Sequence, residues 1–364
     1  MAQKIAPYEL NVGIVGCGKI AHNHAQALQS IDGVNVVGVF DTNKDTADTF
    51  AATYNIPHAF SNYSDLLDLP LNVVSVCTPH PAHEEGVVRA AERGFHVLCE
   101  KPLAVTLPSL DRMIRACEDN EVALGALFQR RFWPPVKKIR QALDSGEMGI
   151  PVLGSVTVRF RRDRSYYQDD WRGRWDTEGG GALINQAIHH IDLLQWFMGE
   201  VTHVSGSWST LRHTDVMEVE DSAVAHVQFA SGGLATILAT TTLSTGLGGQ
   251  VMISDRAGQT ASVIEFPEGI GVLDFWTVGD TPQHTPVYDV TQPFDRSLAD
   301  IHEALIPFHT EQIAEFIEAI REGRAPLVTG REARKSLEIV LAIYESQRLG
   351  KPIECGQTAT ADKE

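Results

Sequence analysis

The chain contains no run of about 18 apolar residues, so no segment of it reads as a membrane span. Its first residues, MAQKIAPYELNVGIVG, lack the apolar core of a secretory signal, and their apolar part reads as a first strand. Positive charge is scarce: 30 Lys and Arg against 47 Asp and Glu give a formal net charge of −17. Nucleic-acid backbones and anionic membrane surfaces attract clustered cations, so neither is an expected partner. The five cysteines, Cys17, Cys77, Cys99, Cys117 and Cys355, are scattered and in no metal-ligand spacing. Free thiols in a reducing cytoplasm suit that pattern, and Cys99 reads as a small apolar core residue rather than a nucleophile. Repeats and low-complexity linkers are absent too. What is there is 364 residues, 43% of them apolar, enough for two domains.

Over 10–128 short β-branched runs alternate with helical stretches. LNVGIVG, VNVVGVF, NVVSVCTP, FHVLCEKP and EVALGALF read as strands; IAHNHAQALQSI, KDTADTFAATY, HEEGVVRAAERG and LPSLDRMIRACEDN read as helices. Nearly continuous apolar strands separated by helices predict an α/β fold with a doubly wound parallel sheet. After about residue 132 strands follow one another with little helix between: VLGSVTVRFRR, THVSGSWST, SAVAHVQFA, GLATILATTTL, GQVMISD and TASVIEF. ASGGLA and DRAGQT between them read as tight turns. This predicts an α+β domain built on a large, mainly antiparallel sheet, with the GGGALINQ helix inserted early and two long helices closing the chain. The expected domains are 1–128 and 129–356, with a polar, frayed tail over 357–364. A sheet face left uncovered implies a homodimer or homotetramer formed through it.

VGIVGCGKIA places Gly16, Gly18 and Ala21 as G-x-G-x-x-A between a strand and a helix. In that context the glycines serve a tight turn and a close approach to pyrophosphate, and Ala21 lets the helix pack on the strand. Lys19 and Ile20 lie in the first helical turn, where backbone N–H groups meet phosphate. Asp41 ends the second strand, where a carboxylate would hold an adenosine ribose and repel a 2′-phosphate. The expected cofactor is therefore NAD, with NADP the lesser candidate, since Lys44 is the one nearby cation. Thr78 and Pro79, in CTPHPAH, fall at the carboxyl edge of the sheet, where ligands bind in such folds. His80 lies there as well, and His83 reads as a packing or helix-capping residue.

Two further stretches carry chemistry. LCEKPLA sets Glu100, Lys101 and Pro102 at a strand end on that same edge. GGGALINQAIHHIDLLQW sets Asn185, His189 and Asp192 on one face of a helix that follows three glycines. With GCGKIA, TPHPAH and GREARKSLEIVLAIYESQRLGKPI, these blocks resemble the Gfo/Idh/MocA family of glucose–fructose oxidoreductase, inositol dehydrogenase and their relatives, over nearly the whole chain. The resemblance implies a Rossmann domain followed by the open-sheet domain. It also implies NAD(P)-dependent oxidation of a secondary alcohol on a sugar or cyclitol: a free sugar, an anhydrosugar, an inositol or a nucleotide sugar. It assigns Lys101 and His189 as catalytic, with Asp192 the acid three residues on, and suggests a cis Lys101-Pro102 bond.

The chemistry needs those residue types. Hydride leaves the carbinol carbon while the hydroxyl proton goes to a base, and an imidazole titrating near working pH suits His189. A cation beside the same oxygen, Lys101, stabilises developing alkoxide. The glycines Gly179, Gly180 and Gly181 are expected to let the loop pass close to substrate and cofactor. Many family members carry Asp where this chain has Asn185; asparagine cannot ionise or relay a proton, and its expected role is hydrogen bonding to substrate. Cofactor contacts are expected from Gly16, Gly18, Lys19, Ile20, Asp41, Thr78, Pro79, Glu100 and Lys101. Substrate contacts are expected from Lys101, Arg131, Tyr166, Trp175, Asn185, His189 and Asp192, the aromatics suiting sugar faces. No metal is expected, because adjacent His189 and His190 do not share a helix face. The alternatives are an NAD-dependent glycosidase of the same fold, disfavoured by the sequence around His189, and a non-catalytic dinucleotide or sugar sensor, disfavoured by the presence of both Lys101 and His189.

Overall fold

The computed structural model describes residues 9–168, 171–279, 282–288 and 295–356. The tail over 357–364 lies outside them. The chain divides into two compact units, Met1–Gln129 with His302–Ala333 and Arg130–Ile301 with Arg334–Glu364. The sequence reading gave all of 129–356 to one domain, whereas His302–Ala333 packs with the first unit. The reason is apolar: Ile313, Phe316 and Ile317 bury in the same core cluster as Ile14, Leu98 and Leu127. Gln312 Nε2 also donates to the Ala126 carbonyl at 2.7 Å.

The first unit runs β1 (Leu10–Val15), α1 (Lys19–Gln29), β2 (Val34–Phe40), α2 (Lys44–Tyr54), β3 (His58–Phe60), α3 (Tyr63–Leu67), β4 (Val73–Val76), α4 (His83–Ala91), β5 (His96–Cys99), α5 (Leu107–Asp119) and β6 (Leu124–Ala126). The six strands pair in the order β3-β2-β1-β4-β5-β6, every pair parallel. The order reverses at β1, so the carboxyl ends of β1, β2, β4 and β5 lie around one switch point, the place where such sheets bind ligands. Each of β4's residues, VVSV, is buried, as expected of a strand covered on both faces. Asn43 starts α2 by accepting from the Asp45 and Thr46 N–H groups. Gly18 at the start of α1 offers no side-chain cap.

The second unit contains α6 (Pro134–Ser145), β7 (Pro151–Arg159), α7 (Ile188–Met198), β8 (Val201–Ser209), β9 (Ser222–Phe229), β10 (Leu234–Thr240), β11 (Gly248–Asp255), β12 (Thr260–Glu265), β13 (Gly271–Trp276) and β14 (Gln283–His284). The chain then passes through α8 (Leu298–Glu322) and α9 (Gly330–Leu349) to β15 (Ile353–Glu354). Among the described residues, nine strands form one sheet in the order β14-β13-β12-β11-β7-β10-β9-β8-β15. It is antiparallel except where β10 runs parallel to β7. ASGGLA turns β9 into β10 with Gly232 at φ +82°, and DRAGQT turns β11 into β12 with Gly258 at φ +85°. Helix α7 packs on β7 and β11. On the sheet's exposed face Leu234 lies beside Leu153, and Leu238 beside Val224, with Leu153 and Val224 each more than half exposed at 53% and 54%.

Candidate active site

At the nucleotide end, Gly16-Cys17-Gly18 turns β1 into α1. Gly16 has φ +88°, and a Cβ there would stand 3.0 Å from the Cys77 backbone and from Thr78 Cγ2, so glycine is required. Gly18 differs: a Cβ on it meets no described atom within 4 Å, so it keeps an open space before the uncapped N–H groups of α1. Ala21 is fully buried against the sheet. Asp41 follows β2 and faces the turn: its Oδ2 accepts from Cys17 N–H at 2.9 Å and its Oδ1 from Asn43 N–H at 2.9 Å. Thr78 Oγ1, after β4, is buried with no hydrogen-bond partner among the described residues. A phosphate cradle that a methyl group would fill, a carboxylate at the ribose position and an unmatched buried hydroxyl fit a dinucleotide. Lys19 and Pro79 are exposed and Ile20 half-buried on the same rim.

Lys101 follows β5, is half-buried, and is joined to Pro102 by a cis peptide bond. Glu100 is buried with its side chain turned inward. Its Oε2 accepts from Lys101 N–H at 3.1 Å; its Oε1 lies 3.0 Å from His24 Nε2 and 3.7 Å from His309 Nε2. A carboxylate only accepts, so His24 carries a proton on Nε2, and its Nδ1 lies 2.7 Å from the Ser75 hydroxyl. Burial pushes the Glu100 carboxyl up, but the hydrogen bond from His24 and the nearby His309 ring hold it well below the usual range. Glu100 was expected to contact cofactor; its carboxylate is instead committed to these two histidines and the Lys101 backbone. His83 is wholly buried, with Nδ1 2.9 Å from the Pro102 carbonyl and Nε2 2.8 Å from the Thr78 carbonyl. It is a packing residue, and it ties the strand end carrying Thr78 to the one carrying Lys101.

In the second unit two of the three glycines, Gly180 and Gly181, lie against the protein itself. A Cβ on Gly180 would stand 2.1 Å from Tyr344 Oη, and one on Gly181 1.8 Å from the Glu220 carbonyl oxygen. The close approach they permit within this unit is thus to Tyr344 and Glu220. The fully buried Glu220 carboxylate holds the same loop: it accepts from Gly181 N–H at 2.9 Å, Leu183 N–H at 2.8 Å and the Tyr344 hydroxyl at 3.0 Å. Residues Ala182–Ala187 then wind as a π-helical turn before α7 begins. The wider turn means the regular helical spacing assumed for Asn185, His189 and Asp192 does not apply to Asn185. Asn185 is half-buried, with Nδ2 donating to Glu178 Oε1 and lying 3.4 Å from Tyr166 Oη. His189, at the second position of α7, is 3% exposed.

Models of one family match both units. The model described as "Oxidoreductase family, NAD-binding Rossmann fold" matches residues 10–128, and the family's C-terminal domain model matches 136–258, together more than half the chain. The chain belongs to the Gfo/Idh/MocA oxidoreductase family. It is similar to scyllo-inositol 2-dehydrogenase (NAD(+)) of Bacillus subtilis, 26% identical over 95% of this chain and 96% of that one. It is similar to myo-inositol 2-dehydrogenase of Thermotoga maritima, 25% identical over 93% and 96%. Among solved structures it matches the WlbA dehydrogenase of Bordetella pertussis in complex with NADH and UDP-GlcNAcA, with a TM-score of 0.81, 28% identity, and coverage of 96% and 100%.

Within this family member two expected substrate contacts are otherwise engaged. Arg131 and Asp192 form a bidentate pair, Nε to Oδ2 and Nη2 to Oδ1, both 2.7 Å, with both side chains 0% exposed. Ser336 Oγ adds a third bond to Oδ1 at 2.9 Å. A buried charge needs a partner, and the pair supplies one to each residue away from any solvent-facing surface. Arg130 is likewise bidentate to buried Glu265, whose Oε2 also lies 3.2 Å from His190 Nε2. His190 is therefore tied into this buried pair. Trp175 donates Nε1–H to the Glu218 carbonyl at 3.0 Å and packs edge-on against Trp208 and Tyr344. Tyr166 keeps a half-buried ring under the Arg172 guanidinium, 4.3 Å from the ring centre. The described residues hold no cluster of three or more His, Cys, Asp or Glu able to bind a metal.

Sequence reasoning missed Glu220, Tyr344, Glu178, His24 and His309. Each is an ordinary residue in its own segment, with partners brought to it by the fold, so no local spacing marks it. Glu220 carries a measurable signature. Burial pushes its carboxyl up to about 7 against the two backbone N–H groups and the Tyr344 hydroxyl. A folded value above the unfolded 4.5 favours the protonated form, so this contribution to stability is complete below pH 4.5 and lost as pH rises through 7. Glu220→Gln is expected to abolish about 3 kcal/mol of that fall between pH 4.5 and 8, read from denaturant midpoints. A variant with the wild-type pH slope would contradict the assignment.

Asp41 gives the cofactor test. Repulsion between its carboxylate and a 2′-phosphate, roughly 4 kcal/mol at 4 Å and about half that after screening, corresponds to roughly 30-fold. Asp41→Ala is expected to narrow the preference for NAD over NADP by about that factor in paired cofactor titrations. An unchanged ratio would count against the contact.

Proposed function

We propose that the protein oxidises a secondary hydroxyl of a sugar or cyclitol with NAD, His189 acting as the base and Lys101 assisting. The observation that supports this reading is the presence of a dinucleotide cradle at Gly18, Asp41 and Thr78 and of Lys101 and His189 in a chain to which two inositol dehydrogenases are similar over more than nine-tenths of its length. The bound dinucleotide supplies the hydride acceptor. His189 takes the hydroxyl proton, and the Lys101 ammonium stabilises negative charge developing on that oxygen. Asn185, Tyr166 and Trp175 contribute to holding the substrate, Tyr166 by its ring face and Asn185 by hydrogen bonding. Arg131 and Asp192 support the helix that carries His189.

We further propose a homo-oligomer that buries the exposed sheet face around Leu153, Val224, Leu234 and Leu238. Five free, buried thiols suit a cytoplasmic protein. No helix among the described residues is long and apolar enough to cross a membrane. The deciding experiment is a screen of inositols, free sugars, anhydrosugars and nucleotide sugars with NAD, following NADH absorbance. Turnover of at least one class supports the reading; cleavage of aryl glycosides without NADH formation would favour the glycosidase, and binding without either would favour the sensor.

A further inference from the structure

Helix α8 runs alongside α1 in the same direction. Near their starts Asn23 Nδ2 donates to the His302 carbonyl at 3.3 Å, and near their ends Arg321 Nη2 donates to the Asp32 carbonyl at 2.6 Å. His302 and His309 are seven residues apart, so they share one face of α8 and lie about 10 Å from each other along its axis. His309 meets Glu100 just after β5, and Gln312 reaches the Ala126 carbonyl at the end of β6. The turn that carries His302 therefore stands beyond the carboxyl edge of the sheet, beside the first turns of α1.

Positive charge collects at that place. Burial pushes the titration of the His302 ring below the ordinary histidine value, and the charges of His309, Lys19 and Lys101 push it the same way, while Glu100 opposes them. The Glu100 carboxylate is already held by His24 and by the Lys101 N–H. The uncapped N–H groups at the start of α1 add partial positive charge. The His302 ring is half-buried and makes no hydrogen bond among the described residues. An imidazole set among cations, with nothing to bond, suits an anion.

We propose that His302 is a cofactor-binding residue that donates a hydrogen bond to the pyrophosphate of the dinucleotide, together with the glycine turn that opens α1. This rests on the reading of the protein as an NAD-dependent enzyme. The sign of the charge selects the pyrophosphate. Adenine and the two riboses are neutral and would leave the cations unmatched, and the oxidised nicotinamide is itself a cation. A phosphate brought beside the ring favours its protonated form, so binding takes up a proton. Affinity should then rise as pH falls through the range in which the ring titrates.

The experiment measures binding, not turnover, on the full-length protein. NADH is titrated by fluorescence, and ADP-ribose, which keeps the pyrophosphate and lacks the nicotinamide, by displacement of NADH. Wild type, His302→Ala and His302→Gln are compared at about pH 8 and about pH 6, with thermal midpoints taken without ligand. His302→Ala is expected to bind both probes about 10-fold more weakly at the lower pH, the loss of one charge-assisted hydrogen bond. Glutamine keeps an N–H donor but takes no charge. His302→Gln is therefore expected to stay within about 3-fold of wild type at the higher pH and to lack the roughly 5-fold tightening that wild type gains at the lower one. Unliganded midpoints should not move, because the ring holds no other group. Unweakened ADP-ribose binding in His302→Ala overturns the proposal, and a loss confined to NADH overturns it as well, since the contact would then be to the nicotinamide half. A full pH gain in His302→Gln removes the charge from the account. Wild type that binds neither probe refutes the dinucleotide reading itself, whereas variants that bind like wild type refute His302 alone.

Discussion

Replacing His189 by alanine is expected to lower turnover by about 10²–10⁴, and replacing Lys101 by alanine to do the same, with NAD affinity left largely intact. The physical reason is a charge that exists only on the way to product. In the proposed reaction the oxygen becomes an alkoxide as the hydroxyl proton leaves, and a base and a cation acting on it would lower that barrier without binding the neutral alcohol more tightly. The loss should therefore fall on kcat and kcat/KM together rather than on KM. The local folds around both residues are held by other groups, which alanine leaves in place. Glu100 is tied to the backbone N–H of Lys101, and the loop before α7 is held by Glu220. Steady-state kinetics with a substrate from the screen, together with NAD titration by protein fluorescence, measure the two quantities separately. Full activity in either variant would remove that residue from the chemistry.

The second large effect is on stability. Asp192→Ala or Arg131→Ala is expected to cost about 3–5 kcal/mol, because each removes one half of a fully buried bidentate ion pair. The bidentate geometry, the Ser336 bond and zero exposure of both side chains make this pair more sensitive than a surface ion pair such as Arg112–Glu84. Replacing both by apolar residues of similar volume should cost far less than either single change, since both charges then go together. Urea unfolding of the two single variants and a double variant, Arg131→Met/Asp192→Leu, reads the difference. Single variants with wild-type midpoints would show that the pair is not buried as described.

The alternation of strand and helix over 10–128 and the run of strands after it were legible because parallel strands covered on both faces are apolar throughout, as in the VVSV of β4, while half-covered strands alternate, as in the SVTVR of β7. The nucleotide turn was legible because its chemistry is local: three small residues and a carboxylate at the next strand end. The place of His302–Ala333 was not, because Ile313, Phe316 and Ile317 form a helical stripe that would suit any apolar surface. Nor was the pairing of Arg131 with Asp192, because an arginine beside a site looks the same in sequence whether it faces substrate or a buried acid 61 positions away. The π-helical turn at Ala182–Ala187 was hidden for a similar reason: it follows from the fit of Gly180 and Gly181 against Tyr344 and Glu220.

The place of β7 in its sheet has a consequence for biosynthesis. That strand leaves the ribosome before either of its neighbours, β10 and β11, and neither arrives until the chain has grown by roughly 80 to 100 residues. Both of its edges stay unpaired during that interval, and hairpins β8–β9 and β9–β10 can close first. Nascent chains truncated between residues 160 and 230 should thus be the aggregation-prone ones, and a chaperone that shields a lone extended segment would act there.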